Sequence, residues 1–194
     1  MSKTEQPANI CAIDASTNSL AFCMYSYKMI QQHGKILFEG NNIYEKIQDA
    51  TRKTKALFDL YNLVDAIVIE HTVFMNSPKT AADLALVQGG IIGGAGISVS
   101  AIKTIGRVSP ITWQSYLGNK KLTKEEQFKI KSANPGKSIS WYKAYERDFR
   151  KKRTIKLLEI EYNKIIEDYD VADAAGIGHW AINNWEKAVK FDKD

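Results

Sequence analysis

The sequence predicts an α/β fold. The expected core is a mixed five-stranded sheet, three antiparallel strands and then parallel ones, flanked by helices, with a basic helical insertion at about 118–157. Three observations predict it. Residues 9–39 alternate short apolar runs with polar turns, the pattern of a strand meander. Residues 42–107 alternate helix-period stretches with almost wholly apolar runs, the mark of crossovers onto a buried sheet. The 194 residues, 44% hydrophobic and 25% charged, suffice for one globular domain over 1–194 with a full core.

The elements follow in order. Ile10-Cys11-Ala12-Ile13 ends in Asp14, the polar turn Ala15-Ser16-Thr17-Asn18-Ser19 follows, and Leu20-Ala21-Phe22-Cys23-Met24-Tyr25 returns. This predicts antiparallel strands over 9–14 and 20–28. A third, edge-like strand over 34–39 is expected after a turn near Gln31-Gln32-His33. Residues 42–62 place Ile43, Ile47, Ala50, Leu57, Phe58 and Tyr61 on one face of an amphipathic helix. Residues 65–70 are apolar until Glu70, which suits a central strand covered on both faces. Residues 78–97 read as a helix rich in small residues, with Gly89, Gly90, Gly93 and Gly94 among them. Each helical glycine costs about 1 kcal/mol relative to alanine, so this many imply close approach of another backbone. That backbone belongs either to the same chain or to a second copy across a helix–helix face. A fifth strand is expected over 99–107 and a short helix over 110–117, opened by Ser109-Pro110 and closed by Gly118. Asn134-Pro135-Gly136 is a break. One or two helices fill 140–167, and a last helix runs over 171–189.

Charge is unevenly placed. The net charge is +5, yet residues 118–157 carry thirteen Lys or Arg against four acids, a net +9, which leaves −4 for the rest. A basic lobe beside an acidic body is the pattern of a nucleic-acid grip next to a carboxylate site. Arg150-Lys151-Lys152-Arg153 is its densest run, with Trp141, Tyr142, Tyr145 and Phe149 interleaved nearby. Lys103 and Lys120-Lys121 are further candidates for phosphate contact. Cys11 and Cys23 each lie in an apolar strand and read as small buried hydrophobes of a reducing compartment. No Cys/His spacing for zinc, signal peptide or membrane span is evident, so a cytoplasmic location is expected.

Four acids from three distant segments carry the chemistry: Asp14, Glu70, Asp170 and Asp173. The first two end central strands, whose neighbours lie about 5 Å apart. The last two are three apart, on one face at one end of a helix. Anions so gathered need compensation, and an oxygen-only donor set suits Mg²⁺ or Mn²⁺. Two such ions about 4 Å apart clamp a phosphodiester for hydrolysis. His71 points to the opposite strand face from Glu70, and His179 lies about 240° around the helix from Asp173, so both are expected to be structural.

These segments resemble the RuvC-type Holliday junction resolvases of the RNase H-like superfamily, as a phage or otherwise divergent member. Ile69-Glu70-His71-Thr72-Val73-Phe74-Met75, leading into the small-residue helix through Gln88-Gly89-Gly90, is similar to the family's Ile-Glu-x-Val-Phe-Met. Asp170-Val171-Ala172-Asp173-Ala174-Ala175-Gly176-Ile177 is similar to its acid-x-Ala-Asp-Ala-x-Ala-Ile, and Ile13-Asp14-x-Ser16 to its Ile-Asp-x-Gly. The resemblance implies that Asp14, Glu70, Asp170 and Asp173 form a metal-binding tetrad holding two Mg²⁺, with Mn²⁺ as a substitute. It implies that Phe74 wedges at the junction centre, that Ser16 contacts DNA, and that a homodimer, joined through the 78–97 helix, nicks branched DNA symmetrically. For a phage protein the place of action would be the host cytoplasm. Departures are Ser16 for the family glycine, Leu20-Ala21 for Thr-Gly, Phe74 one residue further from Glu70, and the long basic segment.

Three other functions compete. Asp14-Ala15-Ser16-Thr17-Asn18-Ser19 resembles the phosphate hairpin of sugar kinases and actin-like ATPases, but those need about twice this length. Another nuclease of the superfamily, acting on RNA–DNA hybrids, flaps or packaged DNA, shares the same acids. A DNA-binding module without catalysis would not need four intact carboxylates.

Overall fold

The computed structural model describes residues 5–71, 77–119 and 121–190. Phe74 and Lys120 lie outside the described residues. Strand β1 (Asn9–Ala15) is the middle of a five-stranded sheet. β2 (Ser19–Ser26) and β3 (Met29–Leu37) extend it antiparallel on one side. β4 (Ala66–Glu70) and β5 (Thr104–Val108) extend it in parallel on the other, giving the order β3-β2-β1-β4-β5. This is the mixed sheet that the sequence predicts. Helix α1 (Ile43–Leu60) connects β3 to β4, and α2 (Pro78–Gly96) lies between β4 and β5. After β5 come α3 (Pro110–Tyr116), α4 (Lys124–Ala133), α5 (Ile139–Tyr162), α6 (Tyr169–Asn183) and α7 (Trp185–Ala188).

Three expectations need correction; the last helix, expected over 171–189, is broken at Asn184 into α6 and α7. The β2–β3 turn is at Tyr27-Lys28, not at residues 31–33, so β3 starts earlier than expected. Both turn residues are left-handed, with φ of 47° and 68°, which matches a two-residue hairpin turn. Neither is Gly or Asn, so the usual signal is missing. The fifth strand covers only 104–108, because its one partner, β4, is five residues long.

The alternation of side chains sorts the sheet into two cores. Cys11, Ile13, Leu20, Phe22 and Ile67 pack with Ala50, Phe58, Val87 and Ile91 of α1 and α2. Ile10, Ala12, Cys23, Tyr25 and Val68 pack with Trp113, Leu158 and the apolar length of α6. Cys11 and Cys23 therefore lie buried on opposite faces, as free thiols.

α6 sits so close to the sheet that its glycines are obligatory. A Cβ on Gly178 would lie 2.1 Å from the Tyr25 ring and 3.0 Å from the Ala12 Cβ. The Tyr25 hydroxyl fixes that approach by donating to the Ala175 carbonyl at 2.6 Å. The glycines of α2 divide into two sets. Gly90 and Gly94 press on Ile47 and Thr51 of α1, whereas Gly89, Gly93 and Gly96 have nothing within 4 Å of a built Cβ.

Candidate active site

Strand parity places the first two acids. Asp14 follows Ile10 and Ala12, and Glu70 follows Ala66 and Val68, so both project from the α6 face. β1 and β4 are parallel neighbours with Ile13 opposite Ile69, so the two acids stand side by side where the strands end. The start of α6 meets that end. Asp168 is its N-cap, its carboxylate accepting from the Asp170 and Val171 amides at 2.8 and 3.1 Å. One turn of helix then sets Asp170 and Asp173 on the face toward the strands.

Asp14 lies within electrostatic reach of the other three acids. Burial raises the Asp14 carboxyl well above the ordinary range, and Glu70, Asp173 and Asp170 push it further, with Lys151 opposing. Burial likewise raises Glu70, against a hydrogen bond from Trp113, with Asp173 adding to the rise. Asp173 is raised by burial against the pull of Lys151.

Two lysines enter this cluster from different elements. Lys35 of β3 stands opposite Ala21, which faces α6, and its ammonium reaches Asp170 at 2.5 Å and Asp168 at 3.4 Å. Lys151 of α5 lies 3.1 Å from Asp173 and 3.6 Å from Asp170. Desolvation works against the Lys151 ammonium, but Asp173, Asp170 and Asp14 outweigh it and its pKa is raised. Glu70 is held from two sides. Its Oε2 accepts from Trp113 Nε1 at 2.6 Å, and its backbone carbonyl accepts from the Gln88 side chain at 2.8 Å.

Sequence reasoning missed Lys35, Trp113 and the capping role of Asp168. Asp168 precedes a helix start, a legible N-cap signal. Nothing local marks Trp113, which α3 carries to Glu70 from a separate segment.

Other expected site residues lie elsewhere. Ser16 organises its own turn, its Oγ accepting from the Asn18 and Ser19 amides at 3.1 and 3.0 Å. Lys103 precedes β5, at the end of the sheet opposite the acids. Lys121 is exposed between α3 and α4. In the basic run, Lys152 pairs with Asp148 at 2.9 Å and Arg153 with Glu126, while Arg150 Nε is buried without a hydrogen-bond partner. Only Lys151 of that run makes an ion pair with the acids. His71 is exposed, and His179 hydrogen-bonds Tyr162 at 2.6 Å, its pKa lowered by burial.

Among the described residues, no group of three or more His, Cys, Asp or Glu is set to hold a metal ion together. The donor chemistry nevertheless fits a hard divalent cation. The set is all carboxylate oxygen, partly buried and mutually repulsive, and the cations it does attract are the Lys35 and Lys151 ammonium groups.

This sheet order with its flanking helices is similar in fold to solved structures of Holliday junction resolvases. Thermus thermophilus RuvC is similar at 9% identity and a TM-score of 0.63, over 93% of this chain and 97% of its own. The same protein in complex with a Holliday junction substrate gives 11% identity and 0.62, over 94% and 99%. The yeast mitochondrial Holliday junction resolvase Ydc2 gives 14% and 0.54, over 94% and 81%. No protein-family model and no curated protein sequence matches the chain. At these identities the likeness is one of fold.

Proposed function

We propose that the chain is a metal-dependent, structure-selective DNA endonuclease that hydrolyses phosphodiesters in branched DNA, foremost by paired symmetric nicks in four-way junctions. The observation that carries this is the gathering of Asp14, Glu70, Asp170 and Asp173 at one end of the sheet, in a fold shared with Holliday junction resolvases. Asp14, Glu70, Asp170 and Asp173 would hold Mg²⁺, or Mn²⁺ in its place. The ions would ionise the attacking water and stabilise the leaving 3′-oxygen.

The residues of the chain supply the rest. Trp113 and Gln88 orient Glu70. Lys35 and Lys151 bring positive charge against a site that must accept a phosphate anion. The surface pairs of Lys152 and Arg153 are worth little each, so both cations are available to exchange their acids for DNA phosphates. Lys121 and Arg150 would join them. A homodimer through α2 would give two sites for two strands. The open faces of Gly89, Gly93 and Gly96 beside exposed Leu86 and Ile97 support that contact.

The test compares cleavage of a four-way junction, a flap, a linear duplex and an RNA–DNA hybrid under Mg²⁺. Junction cutting should dominate, and Asp14→Asn or Glu70→Gln should abolish it while junction binding persists. Equal cutting of linear duplex would remove the junction selectivity. Full activity in either variant would remove the tetrad.

A further inference from the structure

The aromatic side chains of α5 are not used by the acid site. Trp141 and Tyr145 are one helical turn apart and stack, with centroids 5.1 Å apart and planes at 27°. Tyr145 is exposed, and Lys137 stands over the Trp141 ring at 5.6 Å. Asp148 and Lys152 continue the same stripe at i+7 and i+11 from Trp141. Asp148 accepts the hydroxyl of Tyr169, the residue before Asp170. The Tyr169 ring carries the Lys151 ammonium at 5.4 Å. Between Ala144, Arg147, Lys151 and Tyr169 an open cleft of about 370 Å³ runs to Asp170.

We propose that this track, from Trp141 through Tyr145 to Tyr169, seats unpaired nucleotides of the DNA strand that enters the acid cluster. The inference rests on the nuclease reading of that cluster and adds the state of the strand beside it. Bases stack on aromatic rings only when a π-face is free, which a fully stacked duplex does not offer inside its length. The track is lined with cations, Lys137, Arg147 and Lys151, as a phosphate backbone requires. Trp141 and Lys151 are ten residues apart on one helix, about 15 Å, which spans a short run of nucleotides. Junctions, forks and flaps that hold unpaired nucleotides next to the branch are therefore the favoured substrates.

The protein supplies its own probe. Of its four tryptophans, Trp113, Trp180 and Trp185 are at most 4% exposed, so only Trp141 can report a stacked base. Tryptophan emission of the full chain is titrated in metal-free buffer with hexathymidylate and, separately, with a blunt, fully paired linear duplex. Hexathymidylate should quench the emission, the duplex should do so little, and Trp141→Phe should abolish the quench without lowering the melting temperature. Tyr145→Ala should weaken hexathymidylate binding about tenfold. Equal quenching by the duplex would overturn the proposal, as would no quench or an undiminished quench in Trp141→Phe. Junction cleavage, assayed in parallel, separates the two readings. Cutting without quench removes the track and leaves the nuclease, whereas quench without cutting of any DNA removes the nuclease and leaves the track.

Discussion

The bond from Trp113 to Glu70 offers a measurement independent of the proposed nuclease activity. Trp113 is 1% exposed, and its Nε1 donates to Glu70 Oε2 at 2.6 Å. Trp113→Phe keeps an aromatic ring in the site but removes the donor. A hydrogen bond to an ionised acceptor contributes about 1.5–3 kcal/mol, and more is at stake where the acceptor is already destabilised by burial. The single variant also loses packing against Leu117, so its total effect mixes terms. A double-mutant cycle with Glu70→Ala isolates the pair. Urea unfolding at neutral pH should show Trp113→Phe costing clearly less in the Glu70→Ala background, with a coupling of about 1.5 kcal/mol or more. A coupling below about 0.5 kcal/mol would refute the bond as an orienting contact. The companion effect is on the proposed function: if Glu70 holds metal, a group that orients it typically sustains 10–100-fold of activity or metal affinity, and Trp113→Phe should lose about that much.

Three other outcomes are expected. Gly178→Ala should destabilise the fold by about 3 kcal/mol, since its Cβ would sit 2.1 Å from a ring that is itself hydrogen-bonded in place; a loss below about 1 kcal/mol in urea would contradict the close approach. Gly93→Ala, on the open face of α2, should stabilise the monomer by about 1 kcal/mol and, if that face joins two copies, shift sedimentation toward monomer. Asp49 is a linkage case. Burial opposes its charge, but the Glu39 amide, Lys53 and Arg52 outweigh it and hold the carboxyl at about 2 rather than 3.8. A depressed carboxylate stabilises most above its ordinary pKa and loses that stabilisation as pH falls toward the folded value. Asp49→Asn should therefore cost about 2 kcal/mol at pH 7, and its gap to the parent chain should close between about pH 5 and pH 2.

The positions of the four acids of the proposed site are legible in the sequence because local rules set them. Asp14 and Glu70 each end an apolar strand, and strand parity sends them to one face. Asp170 and Asp173 share a helix face by spacing alone. Trp113 and Lys35 were not legible, because each reaches the acids only through tertiary placement. Lys35 faces them by its register against Ala21, and that register depends on a hairpin turn formed by Tyr27 and Lys28. The sequence signal for a turn lies four residues further on, at Gln31, so the register of β3 cannot be read from it.

The basic run shows how far a pattern can mislead and what would have corrected it. By charge, residues 150–153 are one patch. By helix phase they are four different directions, since each residue turns about 100°. The phase is set by what α5 buries further along: Thr154, Leu158 and Tyr162. Lys151 precedes them at spacings of 3, 7 and 11, so it belongs to the buried stripe and not to the solvent face. The packing that seats α5 on α6 thereby delivers one ammonium to Asp170 and Asp173, while Lys152 and Arg153 stay on the lobe. The same phase turns Trp141 and Tyr145 away from the core. One helix thus links the stability of the fold, the charge balance of the site and the path proposed for the strand, and the apolar residues near its C-terminal end determine all three.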